Sequence, residues 1–300
     1  MVTGGDALLL VETPEHDLEE VRVTVNGSDI AAIFRETVDG QFVGLVTELE
    51  PGVNDVVVSV NADTAQKALR LVNHSVAGPV FSGPHEQPFI CETETFELVS
   101  GETLGDSLDQ NCTILRRVDY AYRALDDDEL KSLPDSSQLP ENIATVTTLT
   151  GHEVPYVVRI ETGTINRAVY QISMLHAPDS ADLTPSPWMR SPGWNGRLIY
   201  TFGGGCVNGW YRQGNGTGGV TDDVMLRQGY AVASSSLNVY GNNCNDVLAA
   251  ETMMMVKERF IEAHGVPRHT IGWGCSGAVS YTHLRAHETR HDLVCRLLLE

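Results

Sequence analysis

The chain has 300 residues, 42% of them hydrophobic and 20% charged, with a formal net charge of −20. This composition describes a globular chain and excludes a disordered or fibrous one; the length suits one large domain or two smaller ones. The acidic balance repels phosphate backbones and anionic lipid, so neither nucleic acid nor membrane is expected as a partner. No apolar run reaches the roughly eighteen residues of a membrane span. The opening MVTGGDALLLVETP lacks a basic region followed by an apolar stretch, so no signal peptide is read in the chain.

Residues 1–80 read as short strands. DALLLVET, EVRVTVN, QFVGLVT, NDVVVSV and ALRLVN alternate or are β-branched, and Asn26-Gly27, Asp39-Gly40 and Pro51-Gly52 supply turns between them. Their spacing predicts a small β-sandwich, immunoglobulin-like but without the internal disulfide. Residues 81–150 read as a loop-rich connector, in which Asp126-Asp127-Asp128 is an exposed acidic turn and not a calcium loop. From about 151 the pattern changes. VPYVVRIE, INRAVYQISML and RLIYTF are strands, 220–228 is helical and closed by Gly229, and YAVASSS is another strand. A long helix runs from about 247 to 264. Asp246 is its expected cap, Ala249, Met253, Val256, Phe260 and Ala263 lie on one face, and Gly265 ends it. HTIGW follows as a strand. Strands alternating with helices predict an α/β domain with a largely parallel sheet over 151–278.

The informative segment is Gly274-Cys275-Ser276-Gly277-Ala278, directly after HTIGW. It fits the nucleophile elbow G-x-S-x-G, with Ala278 in place of the last glycine. A serine on a tight strand-to-helix turn needs small neighbours, because the turn passes close to adjacent elements. The strand RLIYTF also runs into Gly203-Gly204-Gly205-Cys206. In an α/β-hydrolase a glycine-rich loop after an earlier strand supplies half of the oxyanion hole, and the N–H after the nucleophile supplies the rest. The expected groups are Ser276 as nucleophile and the N–H groups of Gly204, Gly205 and Gly277 as oxyanion donors. The fold expected is thus an N-terminal β-sandwich followed by a truncated α/β-hydrolase domain. The reaction expected is acyl transfer on a small-molecule ester, with no cofactor and no metal. Two other readings stay open. Gly272-Trp273-Gly274-Cys275-Ser276-Gly277 matches the dinucleotide fingerprint G-x-G-x-x-G, although here it follows several strands and does not open the domain. A non-catalytic secreted binding protein is the other.

There are six cysteines, and none forms a Cys-x-x-Cys pair, which argues against zinc ribbons and thioredoxin-like sites. Cys91 and Cys112 flank the polar connector, while Cys206 and Cys244 each follow a strand. Such positions suit disulfides in a secreted or periplasmic protein, and buried free thiols are the alternative. The histidines before Ser276 (His74, His85, His152, His176, His264 and His269) and the carboxylates Asp222 and Asp223 are given loop, surface or capping roles, because in this fold the base follows the serine.

The blocks GGDALLLVE, GPVFSGPHEQPFIC, VRIETGTINRAVYQISMLH and YTFGGGC…GYAVASSSLNVYGNNCNDVLAAETMMMVKERFIEAHGVPRHTIGWGCSG resemble the tannase-like bacterial family of unknown function, related to tannase and feruloyl esterase, over residues 3–277. The resemblance implies a secreted α/β-hydrolase behind a β-sandwich, with Ser276 as nucleophile. It also implies that Cys275 would pair with a cysteine following a catalytic histidine. Residues 279–300 (VSYTHLRAHETRHDLVCRLLLE) leave the family pattern and resemble a translated sequencing adapter. On that reading the acid and the histidine are missing and the chain is inactive or nearly so. The H-E-x-x-H match at His287, Glu288 and His291, with His283 beside it, falls in this stretch and is not read as a zinc site.

Overall fold

Alternating valines build the N-terminal sheets: in Val21–Val25, positions 21, 23 and 25 are buried and Arg22 is exposed. The computed structural model describes residues 1–12, 20–37, 40–60, 65–177, 186–206, 211–275 and 295–298. The first strands are β1 (Val2–Thr3), β2 (Ala7–Glu12), β3 (Val21–Val25), β4 (Ser28–Asp29), β5 (Phe34–Glu36), β6 (Phe42–Val46), β7 (Gly52–Val60) and β8 (Ala65–His74). One sheet has the order β1-β8-β7-β3-β4, and β2-β6-β5 form another. The β3–β4 hairpin turns at Asn26 and Gly27, both at positive φ (50° and 83°), the conformation that a two-residue hairpin demands. The two sheets share one core in which Val23, Val56 and Val58 face Leu9 and Val46.

Strand β2 reads as an unbroken apolar run because both its faces are covered. Leu9 and Val11 enter that core, whereas Leu8 and Leu10, with Val43 of β6, pack on the other side against Met253, Phe260 and Ile261.

The rest of the chain contains β9 (Arg117–Arg123), β10 (Leu130–Ser132), β11 (Thr145–Thr147), β12 (Glu153–Pro155), β13 (Val157–Ile165), β14 (Ala168–Leu175), β15 (Arg197–Phe202), α1 (Asp223–Leu226), β16 (Ala231–Ser235), α2 (Asp246–His264), β17 (His269–Gly274) and β18 (Cys295–Leu298). A seven-stranded sheet has the order β10-β9-β13-β14-β16-β15-β17. Strands β11 and β12 pair with each other, and β18 lies parallel to β2.

Three expectations change here. The large sheet is mixed: β15, β16 and β17 run parallel, but β9, β13, β14 and β16 meet antiparallel. Alternation of strand and helix starts only at β15. Before it, INRAVY is interrupted by a tight turn at Asn166 and Arg167 (φ 51° and 65°), which folds β13 back on β14. The connector is also shorter than 81–150. RVDYAYR forms β9 inside the large sheet, so that sheet begins at residue 117. Ala121 is its one fully buried residue, so its exposure pattern has no clean period. Finally, Asn245 and not Asp246 caps α2, its side chain accepting from Leu248 N at 3.1 Å. Asp246 is the first helical residue and accepts from the Tyr240 hydroxyl.

Helix α2 lies between the β2–β6 sheet and the large sheet. Its buried set therefore goes beyond the single predicted face and includes Leu248, Thr252, Met255 and Ile261. Each buried large apolar side chain contributes about 1.5–3 kcal/mol. The same double burial takes in Glu251, Glu258 and Glu262. Glu251 accepts from the N–H groups of Val80, Phe81 and Ser82 at 2.5–2.9 Å and from Asn166 Nδ2 at 3.0 Å. Gly78 sits beside this knot at φ +72°, where a Cβ would come within 2.0 Å of Asn166 Oδ1. Glu258 accepts from Thr3 N at 3.0 Å and Thr3 Oγ1 at 2.6 Å. The helix is thus bonded to the N-terminal strand, to the connector and to the β13–β14 turn.

Candidate functional site

Parallel strands bring the two candidate segments to the same end of the sheet. Strand β15 pairs with β17 so that Thr201 faces Trp273 and Phe202 faces Gly274. Neighbouring strands lie about 4.8 Å apart. Gly203-Gly204-Gly205 and Cys275 therefore leave the sheet side by side. Cys275 is exposed and its thiol is free. Ser276 and Gly277 lie outside the described residues, as does the His283–His291 segment.

The glycine loop is held tightly on one side. Gly203 N donates to Asn238 O at 3.0 Å, Tyr240 N to Gly203 O at 3.2 Å, and Gly241 N to Gly204 O at 2.9 Å. A Cβ on Gly203 would lie 2.6 Å from Val239 Cγ1, and one on Gly205 2.7 Å from Gly241 Cα. Gly205 is also at φ +111°, so close approach and backbone angle both require glycine there. Among the described residues the N–H groups of Gly204 and Gly205 have no acceptor, and Gly205 is exposed. A loop pinned through its carbonyls, with N–H donors left over at the surface, can bind a developing oxyanion.

Buried polar side chains fix what the loop leans on. Asn238 Oδ1 accepts from the hydroxyls of Tyr200 (2.7 Å) and Ser235 (2.6 Å), and its Nδ2 donates to Ala249 O at 2.7 Å. Burial pushes the Tyr200 hydroxyl pKa up, so this donor keeps its proton. Ser234 Oγ donates to Thr201 O and accepts from Gly218 N, both at 2.8 Å. In the sequence, Ser234–Ser236 read as the end of the strand YAVASSS and residues 237–241 carry no element. The run Ser234-Ser235-Ser236 followed by Asn238 is the available sign of polar support.

Cys206 follows the loop at φ +127° and is disulfide-bonded to Cys244, beside the α2 cap, with Cα atoms 5.0 Å apart. Cys91 and Cys112 form the other disulfide, Cα atoms 5.2 Å apart. The connector reaches the same end of the sheet. Ile90 N donates to Tyr211 O at 2.6 Å, and Gly214 N to Glu92 Oε2 at 2.8 Å. Gln213 Nε2 bonds the carbonyls of Cys112 (3.2 Å) and Arg167 (3.0 Å). Arg167, at the β13–β14 turn, is buried with its guanidinium 4.0 Å over the Phe89 ring.

Other titratable groups are placed elsewhere. His264 ends α2 and His269 begins β17, at the far end of the sheet, and His176 follows β14 there. Burial, with Arg159, lowers the His264 pKa to about 3 and also lowers that of His176. His74 ends β8, and His152 precedes β12. His85 is in the connector, its pKa lowered by burial and by Arg167. Among the described residues, none of these histidines is hydrogen-bonded to Gly203–Cys206 or to Gly274–Cys275. Asp222 caps α1 by accepting from Met225 N at 3.0 Å. Asp223 binds Arg123 and the Tyr156 hydroxyl. Among the described residues no group of histidine, cysteine or carboxylate side chains is arranged to hold a metal ion.

The dinucleotide fingerprint does not fit this geometry. Its first glycines, Gly272 and Gly274, are strand residues paired with Tyr200 and Phe202, so they form no glycine turn for a pyrophosphate.

The described chain is a disulfide-bonded, mostly β-sheet protein, which suits an oxidising, extracytoplasmic compartment. No described helix is long and apolar enough to cross a membrane. It belongs to the tannase-like family of unknown function, whose model matches residues 1–289. Membership suggests a hydrolase relationship, and the match extends into the stretch that reads as foreign to the family pattern. No curated protein and no solved structure matches the chain.

Proposed function

We propose that this chain carries the nucleophile and oxyanion half of a secreted serine esterase-type active site on an α/β-hydrolase sheet. The register of Phe202 with Gly274 carries the reading, because it sets the glycine loop beside the strand whose last residue, Gly274, is followed in the sequence by Cys275 and Ser276. Ser276 Oγ attacks an ester carbonyl carbon, and its proton passes to a base. The N–H groups of Gly204, Gly205 and Gly277 receive the oxyanion. Collapse breaks the bond to the alcohol oxygen, which takes the proton from the base and leaves an acyl-serine for water to hydrolyse. The parallel run β16-β15-β17, with α1 and α2 as crossovers, supports this fold assignment. The base is not assigned among the described residues.

A fluorophosphonate probe followed by peptide mapping tests the reading. A Ser276 adduct that disappears in Ser276→Ala is expected. Slow labelling is enough, since oxyanion donors alone leave a residual rate when a triad member is lost. Labelling at another residue, or none in protein with intact near-ultraviolet dichroism, removes Ser276 from the role. A non-catalytic binding protein gives that second result.

A further inference from the structure

We infer that the cleft between the β2–β6 sheet and the C-terminal end of α2 is a binding site for a small aromatic carboxylate. The cleft measures about 380 Å³ and is open to solvent on one side, a size within the range of small-molecule sites. It lies at the end of the large sheet opposite Gly203, so the inference stands independently of the serine-esterase reading. Leu8 and Val43 line it from the β2–β6 sheet, and Trp188, Met189, Trp194 and Val266 complete an apolar, aromatic wall. That wall is preformed. Trp188 Nε1 donates to Val43 O at 2.9 Å and Trp194 Nε1 to Arg197 O at 2.8 Å, so what the two indoles offer a ligand is the ring face. Trp194 is buried and meets Phe260 edge-on, with ring centres 5.3 Å apart. Gly265, at φ +86°, lets the end of α2 close against Pro187, where a Cβ would come within 2.6 Å of Pro187 O.

Two polar features give the occupant its charge. His264 lines the cleft at 6% exposure, and its Nε2 has no hydrogen-bond partner. A buried orphan of this kind is costly unless a ligand or water satisfies it. Burial and Arg159 hold the His264 ring neutral, so one of its nitrogens carries a proton; placed on Nε2, that proton can be donated to a carboxylate oxygen. Arg190 also lines the cleft, its guanidinium 5.4 Å from the Trp194 ring centre, and Arg35 lies 4.8 Å over Trp188. Among the described lining residues there is no carboxylate, in a chain whose net charge is −20. A planar ring can stack on the indoles while its carboxylate meets Arg190 and His264 Nε2. An amine would face two arginines, and an aliphatic acid would forgo the stacking.

The test is a titration of methyl-labelled methionine protein with benzoate, followed by nuclear magnetic resonance at neutral pH and low salt. Met189 is the one methionine among the described lining residues, so its methyl signal, assigned with Met189→Leu, reports the cleft. Benzoate should shift it saturably, with half-saturation at about 1 mM or below. A hydrogen bond to a charged group is worth roughly a factor of ten or more in affinity. Benzyl alcohol in place of benzoate, Arg190→Gln and His264→Phe should therefore each raise the half-saturation point about tenfold. Cyclohexanecarboxylate, which lacks the flat ring, should also bind more weakly than benzoate. The three ligands on the wild-type protein decide the matter even if a variant fails to fold. Absence of a saturable Met189 shift overturns the inference, as does a shift confined to other methionines. Benzyl alcohol binding as tightly as benzoate overturns it too, because the cleft would then select only an apolar ring. So does unaltered benzoate affinity in folded Arg190→Gln or His264→Phe.

Discussion

Phe202 and Gly274 are register partners on neighbouring parallel strands, and the chain turns out of the sheet one residue after each. At that level Gly203 is clamped to Val239 while Cys275 is exposed. The pairing sets Gly203 and Cys275 at adjacent strand ends, and the consequences of the proposed shared site can be measured.

Gly205→Ala should damage the site more than the fold. The new Cβ would lie 2.7 Å from Gly241 Cα at a backbone angle of φ +111°, so the loop must shift. Strain of this kind costs about 1–3 kcal/mol. The expected result is a fall of roughly 10²-fold in fluorophosphonate labelling of Ser276, the lower end for a lost oxyanion donor. Labelling at the wild-type rate would show that Gly205 is not a donor.

Stability should decline on the alkaline side. Burial raises the pKa of Glu258 to about 7 and, with Glu258 and Asp6 as like charges, that of Glu262 to about 9. Arg259 opposes this at Glu262, and Glu262 Oε1 has no hydrogen-bond partner. Both carboxyls bind protons more tightly folded than unfolded. Their stabilisation is therefore full below about pH 4.5 and is lost as pH rises through 7 and then 9. Denaturant titrations should show a loss on the order of 3 kcal/mol or more across that window. Glu262→Gln should flatten most of it, and an equally steep decline in that variant would assign the effect elsewhere.

The acid side has a different origin. Burial by itself would raise the Glu161 pKa, but Arg259 and Arg159 beside it outweigh burial and bring it down to about 2. Its stabilisation is present above about pH 4.5 and is lost as pH falls toward 2. Arg259→Met leaves Glu161 with Arg159 at 3.2 Å and the Tyr170 hydroxyl at 2.9 Å. The expected loss at pH 7 is about 3 kcal/mol, as for other buried pairs broken on one side. A variant within about 0.5 kcal/mol of wild type would show that Arg159 suffices.

Glu251→Ala should uncouple the connector. It removes the acceptor for three consecutive N–H groups, at Val80, Phe81 and Ser82, and for Asn166 Nδ2. Each buried donor left unsatisfied costs about 1–3 kcal/mol. Hydrogen exchange at residues 80–82 should quicken sharply while β7 and β8 keep their protection. Uniform quickening would instead mean global unfolding.

Much of this arrangement was legible in the sequence, for physical reasons that differ by element. Strand β15 and its glycines could be read because an apolar run ending in Gly-Gly-Gly has few other uses. The ends of α2 could be placed to within a residue, but Asn245 and Asp246 are both good caps and only geometry separates them. The second buried face of α2 is not marked in the sequence, because it is interrupted by Glu251, which the connector and Asn166 take in, and by Glu258, which Thr3 takes in. Strand β9 is hidden in the sequence because RVDYAYR is interrupted by Arg117, Asp119 and Arg123 and only Ala121 is fully buried, so no apolar alternation marks it. The Asn166-Arg167 turn was missed because it lacks glycine.

The most direct measurement is an experimental structure of the phosphonylated protein. The expected result is a phosphonyl group on Ser276 Oγ, its oxygen within about 2.7–3.1 Å of the N–H of Gly204 or Gly205 and of Gly277. A phosphonyl oxygen turned to solvent, or bound by groups away from Gly203–Cys206, would contradict a shared oxyanion site.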